Sequence, residues 1–427
     1  MPPPFVAADR NYYQATANPA PGYPQLQGTA GADVCVIGGG VSGCSTALHL
    51  AQRGYRVILL EAERIGFGAS GRSGGQLLPG YSSGQTPLKS QLGVELAKQL
   101  WDLSVESVQL TKQLIDTHGI DCDLQHGHLD VAVKPRHAVE LQRYQQELAE
   151  HYQYPMHWLS RDELRDWLTT HRYQAALHDP ASAHVHPLNY TLGLARAATR
   201  AGAILHEQSQ VTDISGGASL QVKTTHGIVN AKQVVLCCNA YVGSVSKQLE
   251  QRIMPVGTYI VATEVLGAER IKALIPNNVA VADTNFILDY FRRSADHRLL
   301  FGGRVSYSGR DFRDTAAATR ERMVQVFPQL NDTRIEYSWG GMLDITFNRA
   351  PDFGRLQNNI YYLQGFSGHG MALAGLAGKL VAETIGGQAE RFDLYTRMRH
   401  RPFPGGPLLR TPALVLAMLW YRLRDLL

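Results

Sequence analysis

The sequence predicts an α/β protein, α+β overall: a parallel-sheet domain interrupted by a domain built on an antiparallel or mixed β-sheet. Three observations carry this. Ala32–Ile37 is a short apolar strand that runs into Gly38-Gly39-Gly40 and then a helix. Gln233–Cys238 is a continuous apolar run, which suits a strand buried on both faces. From about 250 to 345 strands alternate with short helices, before a last glycine-rich stretch, Gly365–Gly378, leads into a helix. Parallel-type strands thus lie at both ends of the chain, with β-rich insertions between them. Residues 1-120, 175-245 and 346-410 are expected to form the discontinuous cofactor domain. Residues 121-174 and 246-345 are expected to form the substrate domain, and 411-427 an apolar C-terminal helix.

The elements follow in order. Residues 1–30 read as an irregular arm. The helix after Gly40 runs to about Arg53, with Gly54 as its C-cap, and the strand Tyr55–Leu60 ends at Glu61, completing a βαβ unit. Helical patterns follow around 90–117 and 138–152, with a strand over Cys122–Val133 between them. Leu188–Ala201 is helical, and hairpin-like strands are expected at about 204–213, 219–224 and 227–230.

Composition narrows the function. The 427 residues suffice for two or three domains, and 44% hydrophobic with 18% charged residues is an ordinary soluble balance. A net charge of +4 without a Lys/Arg block argues against nucleic-acid binding. Cys35, Cys44, Cys122, Cys237 and Cys238 show no metal spacing and read as reduced core residues. No metal is expected, and His126 and His128 read as structural. The polar, Pro-rich first thirty residues carry no signal-peptide pattern, so a cytoplasmic location is expected.

Gly38, Gly40 and Gly43 form GxGxxG between a strand and a helix, the arrangement of a Rossmann-like dinucleotide site. The first glycine permits a tight turn, the second lets the backbone approach a pyrophosphate, and the third allows close helix–strand packing. Val41 and Ser42 open the helix, whose N–H groups and dipole meet the diphosphate. Glu61, followed by Ala62, lies 18 residues beyond Gly43, near the spacing of a ribose-hydroxyl ligand. An acid there argues against a 2′-phosphate.

The run Arg64–Gln76 is too glycine-rich to be core and reads as a backbone cradle along an extended ligand. Here the sequence resembles the FAD-dependent amine and amino-acid oxidoreductases of the D-amino-acid-oxidase and sarcosine-oxidase superfamily. Within it the sequence is similar to the γ-glutamylputrescine oxidases over nearly its whole length. Asn11-Tyr12-Tyr13, Arg64–Gln76, His184–Asn189, Leu299–Gly303, Gly365–Gly370 and Pro402–Gly406 carry the resemblance.

The resemblance implies FAD as cofactor. Ala69, Ser70, Arg72, Ser73, Gly74, Gly75, Gln76 and Leu77 would run beside the ribityl chain and flavin ring. Val211 would offer backbone to the adenine, and Gly365, Ser367, Gly368, His369 and Gly370 would lie at the flavin N1/O2 edge. Gly341, in Trp339-Gly340-Gly341, borders the pocket or belongs to the core. No cysteine follows Cys238 and no histidine stands near Ser70–Gly75, so the FAD is expected to be non-covalent.

The implied reaction oxidises the CH–NH bond of an amine or amino acid to an imine by hydride transfer to flavin N5. Binding the neutral amine in an apolar pocket removes the need for a dedicated base. By resemblance, Tyr259 and Arg304 face the flavin, and His369 is either a polar flavin contact or a structural residue. Arg304 is either an exposed strand-edge residue or the partner of a substrate carboxylate. The first substrate expectation is a γ-glutamylputrescine-type amine. The second is a cyclic amino acid such as pipecolate or proline, and a reading of another class is a non-catalytic flavin-binding subunit. Electrons would pass to oxygen or to a membrane acceptor. The apolar run Pro412–Tyr421 is too short to span a bilayer, which takes about 20 residues. It would dock on the protein or give peripheral contact with the inner membrane face.

Overall fold

The computed structural model describes residues 11–306 and 315–404. The expected C-terminal helix at 411-427 lies outside the described residues. Among those described, no helix is long and apolar enough to cross a membrane.

The first strand, Gly28–Ile37, begins four residues before the apolar run. Its polar start is set by its partner: Gly28 to Ile37 pair in parallel with Gly227 to Leu236. That partner is one strand, Gly227–Leu236, where the sequence suggested separate segments at 227–230 and 233–238. Its last three residues are buried, as expected of a central parallel strand. The sheet order is 352–357, 360–364, 227–236, 28–37, 57–60, 204–206, with a hairpin of 211–216 and 220–224 beside 227–236. The inner pairings are parallel, and the outermost strand, Asp352–Gln357, is antiparallel.

The single strand expected at 204–213 is two strands. Ile204–His206 extends the parallel sheet, and Val211–Gly216 starts the hairpin. The chain breaks between them because its backbone bonds elsewhere. Gln208 N–H donates to Glu63 O at 2.9 Å and Ser209 N–H to Glu61 O at 2.8 Å, with Gln208 at φ +49°.

Helices Val41–Gln52, Val94–His118, Pro187–Arg200 and Gly370–Ile385 bury their apolar faces in one core with Val36, Leu59 and Leu194. Val41–Gln52 and Gly370–Ile385 come into close contact at Gly378, where a Cβ would sit 2.6 Å from Thr46 N.

The second sheet is mixed, as expected. Its order is 335–346, 253–263, 299–306, 290–293, 280–283, 125–132, 175–184, 76–77, with 157–159 beside 175–184. Only 280–283 with 125–132 is parallel. The division expected at 174/175 therefore meets a strand of this second sheet, Ala175–His184. Its other core packs Phe291, Phe301 and Val261 against Met323 and Phe327.

The arm read as irregular holds a short helix, Tyr12–Ala15, capped by Asn11, whose side chain accepts Tyr13 N–H at 3.0 Å. Tyr12 and Tyr13 are buried against Trp339 and Leu188, and that contact gives the arm its structure. All five cysteines are free thiols, four of them buried.

Candidate cofactor-binding site

A cavity of about 630 Å³ opens at the N-terminus of Val41–Gln52. Gly38 there has φ +109°, a conformation costly for any residue with a Cβ. A Cβ on Gly43 would run into Gly38 O, so the third glycine seats the helix on the strand and does not line the cavity. Gly38, Gly40, Val41 and Ser42 all line it. Val41 N–H donates to Ser70 Oγ at 3.0 Å, and a Cβ on Gly40 would lie 2.7 Å from that oxygen. The first glycine loop thus meets the second directly, and Gly66 N–H donates to Gly39 O at 3.0 Å.

Glu61 directly follows the strand Val57–Leu60 and lines the cavity beside Ala62. Its Oε2 accepts Gly39 N–H at 2.6 Å and its Oε1 accepts Glu63 N–H at 2.9 Å. Burial pushes its carboxyl pKa up, and these two N–H groups oppose the shift. The wall continues through Gln210 and Val211 on one side and Cys237, Cys238 and Asn239 on another. Cys238 was read simply as core, yet it lies on this wall, where burial pushes its thiol up and keeps it protonated.

In the second glycine loop, Ala69, Ser70 and Ser73 line the cavity. Arg72 turns away from it. Its Nε donates to Phe67 O at 2.8 Å and its Nη1 to Gly340 O at 2.9 Å. Gly74 and Gly75 lie behind the wall, because Arg292 Nε donates to Gly74 O at 2.7 Å and Val185 N–H to Gly75 O at 2.9 Å. Gln76 and Leu77 form a strand paired with His184 and Ala183 and also stand back from the cavity.

The C-terminal loop divides similarly. Gly368 and Gly370 line the cavity, whereas Gly365 and Ser367 anchor the loop from behind. Gly365 N–H donates to the Asp344 carboxylate, and Ser367 N–H donates to Asp344 O at 3.1 Å. The imidazole of His369 bonds Pro79 O through Nε2 at 3.0 Å. Burial lowers its pKa, so the ring is neutral and Nε2–H is the donor. Its side chain thus ties the loop to Pro79, and it is not among the lining residues.

Tyr259 also stands apart. It pairs with Gly340, whose Cβ would lie 3.1 Å from the tyrosine ring. A Cβ on the next residue, Gly341, would lie 3.2 Å from Arg72 Cβ. Successive strand residues face opposite sides, so the Tyr259 ring is on the face turned away from the glycine loop. Gly341 packs on that loop rather than on the cavity. Arg304 pairs with Tyr259 through the backbone; its side chain lies outside the described residues.

Sequence reasoning missed Asn239, Leu343 and Asp344 on the cavity wall. The available signal was an acid, Asp344, inside the otherwise apolar run Met342–Ile345. Asp344 is 1% exposed, and burial pushes its carboxyl up to about 7.

These groups fit FAD. The cavity is continuous from Val211 past a helix N-terminus and a carboxylate to the glycines at 368 and 370, as an extended dinucleotide requires. The comparisons agree. Residues 33–384 match the family "FAD dependent oxidoreductase". Gamma-glutamylputrescine oxidoreductase of Escherichia coli (strain K12) is 41% identical, over 97% of this chain and 98% of its own. A probable oxidoreductase of Haemophilus influenzae is 38% identical over 97% of both. The solved glycine oxidase of Geobacillus kaustophilus superposes with a TM-score of 0.74 at 24% identity, covering 87% of this chain and 99% of its own, and shares the fold. Cavity, motif and family together make this chain a member of the FAD-dependent oxidoreductase (DAO) family, an enzyme that uses FAD.

Proposed function

We propose that the protein oxidises the CH–NH bond of an amine of the γ-glutamylputrescine type to an imine, which water then hydrolyses. The observation that carries this reading is the 41% identity to gamma-glutamylputrescine oxidoreductase across essentially the full length of both chains. Bound FAD supplies a two-electron acceptor for hydride.

In this reading the chain's own groups do the following. The first turn at Val41 and Ser42 holds the diphosphate with its N–H groups. Glu61 accepts from a ribose hydroxyl while keeping Gly39 N–H, and Val211 borders the adenine. Ala69, Ser70 and Ser73 lie along the ribityl chain, and Gly368 and Gly370 face the flavin edge. Gly43, Arg72, Gly74, Gly75, Gln76, Leu77, Gly341, Gly365, Ser367 and His369 act from behind: Gly43 and Gly341 by close packing, Arg72 and His369 by side-chain bonds to backbone carbonyls, and the others by backbone bonds. The first sheet carries the cofactor and the second carries the substrate side. Arg304 contributes there, and Tyr259 supports Gly340 rather than touching substrate.

The test is an anaerobic bleaching screen of the holoenzyme with γ-glutamyl-diamine conjugates, free diamines, primary amino acids and cyclic amino acids. The conjugates should bleach the flavin fastest. Bleaching by a cyclic amino acid alone would overturn the substrate reading, and bleaching by none would favour a non-catalytic subunit. Peroxide formed on readmitting air identifies oxygen as an acceptor.

A further inference from the structure

Asp344 occupies a place that FAD binding alone does not explain. It sits near the end of the strand Ile335–Thr346, 1% exposed, yet on the cavity wall. One carboxylate oxygen accepts Gly365 N–H, and the other accepts Asn239 Nδ2–H at 3.2 Å. Its own carbonyl accepts Ser367 N–H at 3.1 Å. Two of these partners are strained: Ser367 at φ +53° and Asn239 at φ +49° are both non-glycine residues in the left-handed region. Such conformations persist only where surrounding bonds over-determine them. The residue next to Asp344, Leu343, lies 3.4 Å from where a Cβ on Gly368 would be. A single acid thus joins two cavity-lining segments, Asn239 after the central strand and the loop Gly365–Gly370.

The side-chain partner of this acid is an amide, and its other carboxylate oxygen accepts a backbone N–H. When ionised, its charge stays beside the cavity. A buried negative charge near a group that gains electrons disfavours that gain, because Coulomb terms are large where water is excluded.

We propose that Asp344 is a positioning residue that sets the loop Gly365–Gly370 and Asn239 for FAD, and that its negative charge holds the flavin's reduction potential down. This rests on the FAD assignment and on the reading that puts the flavin edge at Gly368 and Gly370, and not on the substrate reading, since neither readout below uses an amine.

The experiment measures FAD dissociation constants and flavin midpoint potentials of the holoenzyme at pH 8.5. The variants are Asp344→Asn, Asp344→Ala and the exchange Asn239→Asp/Asp344→Asn. Asp344→Ala removes both acceptors and should weaken FAD binding roughly tenfold or more. Asp344→Asn keeps an acceptor for Gly365 N–H, so it should bind FAD more tightly than Asp344→Ala while raising the potential. The exchange returns a charge to the cavity wall and should bring the potential back toward wild type. An unchanged potential in Asp344→Asn would overturn the proposal, as would wild-type FAD affinity in Asp344→Ala. If Asp344→Ala does not fold, the potentials of the other two variants decide.

Discussion

The carboxylate of Glu61 accepts the N–H of Gly39 at 2.6 Å, so the end of the second strand is bonded to the glycine turn after the first. The acid therefore shapes the glycine turn through the protein's own hydrogen bonds. Glu61→Gln should weaken FAD binding by about ten- to a hundredfold, the range of a lost charge-assisted hydrogen bond. Fluorescence titration of the apoprotein checks this, and an unchanged affinity would remove Glu61 from the site.

Gly378→Ala should destabilise the protein by about 1–3 kcal/mol, the usual cost of overpacking. The added methyl would press on Thr46 N and Ser42 O, which are backbone atoms of the facing helix and have little room to yield. Thermal unfolding of the apoprotein measures it.

Arg292 is 4% exposed and donates to Gly74 O, to Val185 O at 2.9 Å and to Tyr13 OH at 3.1 Å. It joins the second glycine loop, the segment after Ala175–His184, and the N-terminal arm. Arg292→Gln should cost about 2–4 kcal/mol, as breaking a buried network does. Arg292→Lys should recover only part of this, since an ammonium cannot reproduce the planar fork. Denaturant midpoints for the two variants test the ordering.

Asp130 is held up at about 7, first by burial and then by the nearby Asp179 charge, while His369 opposes the shift. Its folded pKa lies above its unfolded value near 4. The proton it keeps in the fold therefore stabilises most below pH 4, and that contribution is lost as pH rises through about 7. Asp130→Asn removes the dependence. The melting temperature of wild type minus that of Asp130→Asn should fall between pH 5 and pH 8, and a flat difference would contradict the assignment.

Acid precipitation of the holoenzyme should release all its yellow colour. The cysteines nearest the cavity, Cys237 and Cys238, are both pushed up by burial and stay protonated, poorly suited to forming a flavin bond. Colour retained by the pellet would contradict non-covalent binding.

How legible each part was depended on the range of the interaction. The turn at Gly38, the helix start at Val41 and the acid at Glu61 obey local backbone rules, and they stand where the sequence put them. The hairpin region was misread because Gln208 and Ser209 bond to Glu63 and Glu61, nearly 150 positions away. Part of the second glycine loop and of the loop Gly365–Gly370 faces the cavity and part stands behind it, a division that composition does not encode.

Taken by itself, the sequence determined the strand–glycine–helix turn and the acid after the next strand, because these use residue types that short stretches of backbone require. Its resemblance to amine and amino-acid oxidoreductases implied the family and FAD. Only the tertiary structure decided that His369 ties Pro79, that Tyr259 lies on the far face of its sheet, and that Asp344 and Asn239 meet at the cavity. Each of these depends on which strand pairs with which and on the face a side chain takes, and strand register is settled by contacts between residues distant in the chain.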